Sequence, residues 1–277
     1  MSDPIIARHH DPHPSASHSG PVVLEVDNLA MTYGSGASAK NAVAGVSFKV
    51  HHGELLCVVG PSGAGKTTVL KCISGLLAPT GGTVKLDDVL VTEPPEKLGL
   101  VFQDYSRSLL PWMTVLGNVT LPLRAKKTLA KREIKDRAEA MLEAVGLGKE
   151  GHSYPWQLSG GMQQRVAIAR GLAYQPEVLL MDEPFASVDA QTRMELEDLV
   201  LSLRDQFNLT IVFVTHDIDE AVYLADRVIV LSAAPTYVSE DVTIPLKMPR
   251  DQITTKAELA FGELRGHILK NIITKPQ

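Results

Sequence analysis

From Pro21 to about Leu246 the chain moves between two hydrophobic rhythms. The segments "VVLEVDNL" and "AGVSFKV" alternate apolar and polar residues, the two-residue period of half-buried strands. By contrast, "ELLCVVG", "EVLLMDE" and "LTIVFVTH" carry short continuous apolar runs. Such runs, interleaved with helical segments, predict strands covered on both faces in a mainly parallel sheet. The helical rhythm is plain at Ile134, Ala138, Met141, Leu142 and Val145, with Arg137, Glu139 and Glu143 between them. That spacing predicts an amphipathic helix whose apolar face is simply packed. After Leu246 the pattern weakens, and "KAELAFGELRGHILK" predicts one last helix.

Composition narrows the partners. A chain of 277 residues can bury a full core, as one domain with appendages. Its 27 basic and 32 acidic residues leave a net charge of −5, with no dense basic block. Nucleic acid is therefore not the expected partner, since affinity for its backbone comes chiefly from Lys and Arg. No apolar run reaches the length needed to cross a bilayer. Residues 1–20 are rich in His, Pro and Ser and lack the apolar core of a signal peptide. They hold too few apolar residues to offset the entropy of ordering, which predicts a disordered tail. His9, His10, His13 and His18 could chelate a metal, but no fixed ligand geometry supports it. Cys57 and Cys72 match neither metal nor redox spacing and read as small apolar side chains.

The chemistry begins with "GPSGAGKT", Gly60 to Thr67, which fits the phosphate-loop pattern in full. An apolar strand precedes it and the helix "KTTVLKCISG" follows, the context that motif requires. Its glycines let the backbone fold around phosphates, and the helix dipole favours their charge. Lys66 is placed to reach β- and γ-phosphates, and the Thr67 hydroxyl to bind Mg²⁺. In "VLLMDEP" the apolar run ends in Asp182 and Glu183, at the strand end that faces a parallel sheet's ligand crevice. Asp182 suits a Mg²⁺ site and Glu183 is free to polarise an attacking water. His216, closing "IVFVTH", and Gln103, closing "LGLVFQ", could sense a γ-phosphate and contact a metal and a water, respectively. Taken singly, a His or Gln at a strand end is more often structural. A second anion device lies about a hundred residues on: Ser159, Gly160 and Gly161 open a helix with exposed backbone N–H groups.

Together, "GPSGAGKTT", "VFQ", "LSGGMQQR", "VLLMDEP", "SVDA" and "VTHD" resemble, in that order, the ATP-binding subunit of ABC transporters. The resemblance covers roughly residues 22–245. It implies an α/β P-loop NTPase with a mainly parallel core sheet, an antiparallel β-subdomain and a helical signature subdomain at about 104–172. The nucleotide-binding domain is then expected at 21–245, with a short helical extension over 246–277. In that family two domains pack head to tail, each ATP lying between one subunit's phosphate loop and the other's "LSGG". Two phosphate devices in one chain then make sense, because the second serves the partner's nucleotide.

Carried over by that resemblance, Tyr33 matches the aromatic that stacks on adenine. Gly60, Pro61, Ser62, Gly63, Ala64, Gly65, Lys66, Thr67 and Thr68 match the phosphate cradle. Gln103, Thr67 and Asp182 match the magnesium site, Glu183 the catalytic base and His216 the switch histidine. Ser159, Gly160 and Gly161 match the γ-phosphate contacts made across the dimer, and Asp189 the loop that bridges the two sites. Val188 stands where leucine is usual, and Trp156 where histidine is common; neither touches the phosphate chemistry.

The stretch "VFQDYSRSLLPWMTVLGNV" resembles the branch that imports nitrate, sulfonates, taurine and related small compounds, although a packed apolar segment reads similarly. The implied protein is an ATP- and Mg²⁺-dependent motor on the cytoplasmic face of the membrane. Its implied partners are a second ATPase subunit, permease subunits and a solute-binding protein, with no nucleic acid. An exporter or lipid transporter shares the same motor and stays open. A soluble ABC ATPase usually carries a coiled-coil insertion or two fused domains, and a small-molecule kinase leaves "LSGG" unexplained. The segment from Gln103 to Val119, with the apolar residues Leu109, Leu110, Pro111, Trp112 and Met113, is expected to form much of the permease dock, with Trp112 as its anchor.

Overall fold

A six-stranded sheet and a four-stranded antiparallel sheet organise the computed structural model, which describes residues 20–104, 108–125 and 129–274. The larger sheet is built around β3 (Leu55–Val59), β6 (Leu98–Val101), β7 (Val178–Asp182), β8 (Thr210–Val214), β9 (Arg227–Leu231) and β10 (Val238–Thr243). Its order is β10-β9-β3-β8-β7-β6, parallel throughout except for the antiparallel edge pair β9 and β10. The smaller sheet runs β2-β1-β4-β5, with β1 (Val22–Tyr33), β2 (Lys40–His51), β4 (Gly81–Leu86) and β5 (Val89–Leu90).

The continuous apolar runs have a direct cause. Every residue of β3, β7 and β8 is buried, because both faces of the central strands are covered. In β3, Leu55, Cys57 and Val59 join one core, while Leu56 and Val58 join another shared with the antiparallel sheet. Successive side chains of a strand point to opposite faces, so one strand serves both cores. Cys57 and Cys72 are free and buried, in keeping with their reading as apolar residues. The second core also takes Val69, Leu70 and Ile73 from α1 (Lys66–Ile73), the helix that follows the phosphate loop.

Strand β4 was not legible in the sequence, since "GGTVKL" opens on two glycines that read as a turn. Its pairing partner supplies the missing determinant: Leu24 to Asp27 of β1 align with Leu86 to Thr83. At Gly82, with φ +75°, a Cβ would stand 2.2 Å from the Asn28 carbonyl oxygen, so only glycine fits this approach.

Three helices form a separate layer: α2 (Val115–Ala125), α3 (Lys131–Ala144) and α4 (Gly160–Ala173). In α3, Ile134, Ala138 and Leu142 are buried, the face anticipated from the spacing. The buried Asn118 of α2 ties down the turn before its helix. Its Oδ1 accepts from Leu110 N at 2.8 Å, and its Nδ2 donates to Leu110 O at 3.1 Å and Thr114 O at 3.0 Å. That turn splits the apolar stretch at 109–113. Leu109 is core, at 2 % exposure, whereas Trp112 stands in solvent at 73 %.

The remaining helices are α5 (Ala190–Phe207), α6 (Ile218–Leu224) and α7 (Leu259–Thr274). Helix α7 starts three residues later than "KAEL" suggested. A turn intervenes, with Asp251 Oδ1 accepting from Ile253 N at 3.0 Å and Thr254 N at 2.8 Å. Phe261 and Ile268 of α7 join the core. No helix among the described residues is long and apolar enough to cross a membrane.

Candidate active site

The loop from Gly60 to Gly65 leaves the end of β3 and opens α1, so its backbone turns back on itself. Gly63 and Gly65 take φ +77° and +73°, the left-handed region that glycine enters without strain. Conformation, not space, demands glycine at position 63, where nothing lies within 4 Å of an added Cβ. Ala64 N donates to Pro61 O at 3.1 Å, and Thr236 Oγ1 donates to Ala64 O at 2.5 Å. The cradle is therefore braced from the segment between β9 and β10.

Lys66 is the first residue of α1 and is 7 % exposed. Its Nζ donates to Gly60 O at 3.0 Å and Pro61 O at 3.2 Å, and stands 3.8 Å from Glu183 Oε1. Burial pulls the Lys66 ammonium below its ordinary pKa, and the charges of Glu183 and Asp182 oppose that shift. A buried ammonium held by neutral carbonyls and a single carboxylate suits an additional anion, such as a phosphate.

Asp182 ends β7, and its Oδ1 accepts from Thr67 Oγ1 at 3.4 Å. Burial pushes the Asp182 carboxyl above its usual range, while the Thr67 hydrogen bond opposes the shift. A desolvated carboxylate beside a hydroxyl is a hard oxygen pair, and such donors fit Mg²⁺.

The next residue, Glu183, lies at φ +40°, an uncommon conformation for a residue with a Cβ. Its amide donates to Val214 O at 2.8 Å, which fixes that backbone against β8. Local strain of this kind is held in place by surrounding structure and clusters where side chains must be aimed. The Glu183 carboxylate is aimed at a crowd. Oε2 accepts from Gln103 Nε2 at 3.1 Å and lies 3.0 Å from His216 Nδ1, while Oε1 faces Lys66. Gln103 and His216 each sit two residues past a strand end, after β6 and β8. The structure thus gathers Lys66, Thr67, Gln103, Asp182, Glu183 and His216 at one end of the parallel sheet.

Tyr33 closes β1 at 43 % exposure, and its hydroxyl lies 3.2 Å from Thr68 Oγ1. An open aromatic face thereby borders the phosphate loop.

Ser159, Gly160 and Gly161 stand elsewhere. Ser159 caps α4, its Oγ accepting from Met162 N at 3.3 Å. A Cβ on Gly161 would meet Thr192 Cγ2 at 2.3 Å, so α4 begins against α5. Asp189 caps α5 by accepting from Thr192 N at 3.0 Å and Thr192 Oγ1 at 2.7 Å, bonds that lower its pKa. Val188 packs against the core, and Trp156 stacks on Tyr154 with ring centroids 5.9 Å apart. Among the described residues, no hydrogen bond or ion pair joins 159–161 to the phosphate loop.

Sequence reasoning passed over the groups that hold His216 in place. Thr215 Oγ1 donates to Glu220 Oε2 at 2.6 Å, and Asp217 accepts from Asp219 N at 2.9 Å and Glu220 N at 3.3 Å. The signal was present in "DIDE", an acidic cap with Glu at the third helical position. Arg193, which pairs with Asp217 and Glu220, gave no signal beyond lying one helical turn after Asp189.

The chain is similar to known proteins along most of its length. Residues 43–186 match a family described as "ABC transporter". An uncharacterised ABC transporter ATP-binding protein of Methanocaldococcus jannaschii is 47% identical over 90% of this chain and 90% of its own. A nitrate import ATP-binding protein of Synechococcus elongatus is 40% identical over 89% and 90%. An aliphatic sulfonates import ATP-binding protein of Bacillus cereus is 36% identical over 90% and 95%. A solved dimeric structure of an ATP-binding cassette, in a post-hydrolysis state bound to ADP and Pi, superposes with a TM-score of 0.70. It is 34% identical and covers 80% of this chain and 98% of that chain.

Proposed function

This chain belongs to the ABC transporter family as an ATP-hydrolysing, ATP-binding protein, and we propose that it drives an importer of nitrate, a sulfonate, taurine or a related small compound. In this reading it works as a head-to-tail dimer docked on permease subunits, at the cytoplasmic face of the membrane. A solute-binding protein delivers the cargo to that permease.

One observation carries the reading. The groups suited to a nucleotide's phosphates fall into two sets within one chain: Lys66 with Glu183 and His216, and Ser159 to Gly161 beside Asp189. A dimer unites each set with its complement, and the related cassette bound to ADP and Pi is dimeric.

Each side chain then has a task. Lys66 neutralises β- and γ-phosphate charge, and the backbone N–H groups of Gly60 to Thr68 wrap the phosphates. Thr67, Gln103 and Asp182 would hold Mg²⁺, which supplies further neutralisation of the phosphate oxygens. Glu183 accepts the proton of an attacking water, and His216 orients Glu183 and senses the γ-phosphate. Tyr33 stacks on adenine. Closure with ATP and reopening after phosphate release move the permease through the turn at Trp112.

The test is reconstitution with the permease in vesicles, scored by Mg-ATP-driven uptake of nitrate, taurine and an alkanesulfonate. Uptake of one of them is expected. Hydrolysis that never accompanies uptake of any of the three, with a monomer at every nucleotide concentration, overturns the reading.

A further inference from the structure

Between the two phosphate-facing sets lies an arginine with a task of its own. Arg193 sits in the first turn of α5, and its amide donates to Asp189 O at 2.9 Å. Its side chain leaves that helix and reaches the segment that carries His216. Nη1 donates to Asp217 Oδ2 at 2.9 Å, and Nε lies 3.3 Å from Glu220 Oε1. Asp217 follows His216 directly and caps α6, and Glu220 takes the hydroxyl of Thr215, which precedes His216. Both flanks of His216 are thus held by carboxylates that share one guanidinium.

The other end of this arrangement is the start of α4. Thr192, neighbour of Arg193, touches Gly161 so closely that a Cβ there has no room, and its hydroxyl is held by Asp189. Gly161, Thr192 and Arg193 therefore form a packed path from the helix start at Ser159 to the His216 segment.

We infer that Arg193 is a positioning residue that links occupancy of the Ser159–Gly161 half-site to the placement of His216 against Glu183. This rests on the composite-site reading above. When a partner's nucleotide presses on the start of α4, α5 shifts as a rigid helix, and the guanidinium carries that shift to Asp217 and Glu220. Packed elements with discrete contacts transmit displacement in this way, and a small misplacement of a catalytic group costs a large factor in rate. The guanidinium suits the task because it bonds Asp217 while standing at ion-pair distance from Glu220, a double reach that an ammonium on a flexible stem achieves less well.

The experiment compares wild type, Arg193→Met and Arg193→Lys in steady-state ATP hydrolysis with a full ATP titration, alongside melting temperature. For Arg193→Met, kcat falls about tenfold to a hundredfold with KM within about twofold, and the sigmoidal dependence on ATP flattens. Arg193→Lys lies between the two, because it keeps the charge and loses the fork. ATP-dependent dimerisation, followed in the Glu183→Gln background, is retained in the Arg193 variants. An unchanged kcat and unchanged sigmoidality in folded Arg193→Met overturn the inference; if that variant does not fold, the same result in Arg193→Lys does so. Failure of the dimer reading looks different: wild type itself then shows neither ATP-dependent dimers nor sigmoidal kinetics.

Discussion

His216 Nδ1 stands 3.0 Å from the Oε2 of Glu183, on the oxygen that also accepts from Gln103. A carboxylate placed between Gln103 and His216 and set on a strained backbone is held in one geometry. Glu183→Gln should keep ATP binding and lose hydrolysis by roughly a hundredfold or more, the usual scale for a positioned base. It should also accumulate as an ATP-bound dimer, since ligand bound only to the closed form drives closure. Phosphate release and size-exclusion runs with Mg-ATP measure both outcomes; ordinary turnover removes Glu183 from the mechanism.

Lys66 and Ser159 should fail in different ways. Lys66→Ala removes the buried ammonium and should weaken nucleotide binding to the isolated subunit. Ser159→Arg leaves the phosphate loop intact and should spare binding while blocking dimer closure. Mixing the two variants assembles one half-site pair free of both changes, so activity above either alone is expected. A fully active homodimer of either variant contradicts the composite site.

Tyr33 presents a half-exposed ring beside Thr68. Tyr33→Ala should lower affinity for ATP by about 1 kcal/mol, the value of a stacked face, with Phe or Trp tolerated. Calorimetric titration with ATP and with tripolyphosphate separates base from phosphate contacts. Equal losses for the two ligands rule out the adenine role.

Trp112 and Leu109 part company in the fold, and their variants should too. Trp112→Ala alters a side chain that is 73 % exposed, so the melting temperature should stay within about a degree or two. Its pull-down with the permease should weaken, because aromatic anchors dominate such contacts. Leu109→Ala empties a core position instead and should cost about 2–5 kcal/mol of stability. A Trp112→Ala protein that pairs normally with the permease assigns the dock elsewhere.

Glu220 is a source of pH dependence in the fold. Burial pushes its carboxyl from 4.5 up to about 7, with Asp217 and Glu197 adding to the rise and Thr215 and Arg193 opposing it. The native state thus holds a proton that the unfolded chain releases between those values. Stability from this group is full below pH 4.5 and is lost as pH rises through about 7, a total on the order of 3 kcal/mol. Glu220→Gln should flatten that slope, read from urea unfolding at pH 5 and pH 8. An identical slope in the variant assigns the pH dependence to other groups.

Much of the molecule was legible because its signals are local. A fully buried strand needs a continuous apolar run, and β3, β7 and β8 each have one. The phosphate loop and the acidic pair Asp182–Glu183 follow from spacing against those strands. What stayed hidden depends on distant partners. Strand β4 exists because β1 offers it a ladder, and the solvent position of Trp112 depends on a turn tied down by Asn118, the fourth residue of α2. Arg193 was invisible for the same reason, since a surface-type residue on an amphipathic helix announces nothing until its carboxylates come into view.

Strand β3 contributes alternate side chains to two cores, with the phosphate loop at its end. It therefore behaves as a keystone. A one-residue slip would trade every side chain between the two interiors and swing the loop's first glycine away from its seat against Leu231. Neither interior can melt alone without releasing that strand, so the two should come apart as a single cooperative event. Nucleotide gripped at the strand's tip accordingly stiffens both halves of the molecule at once.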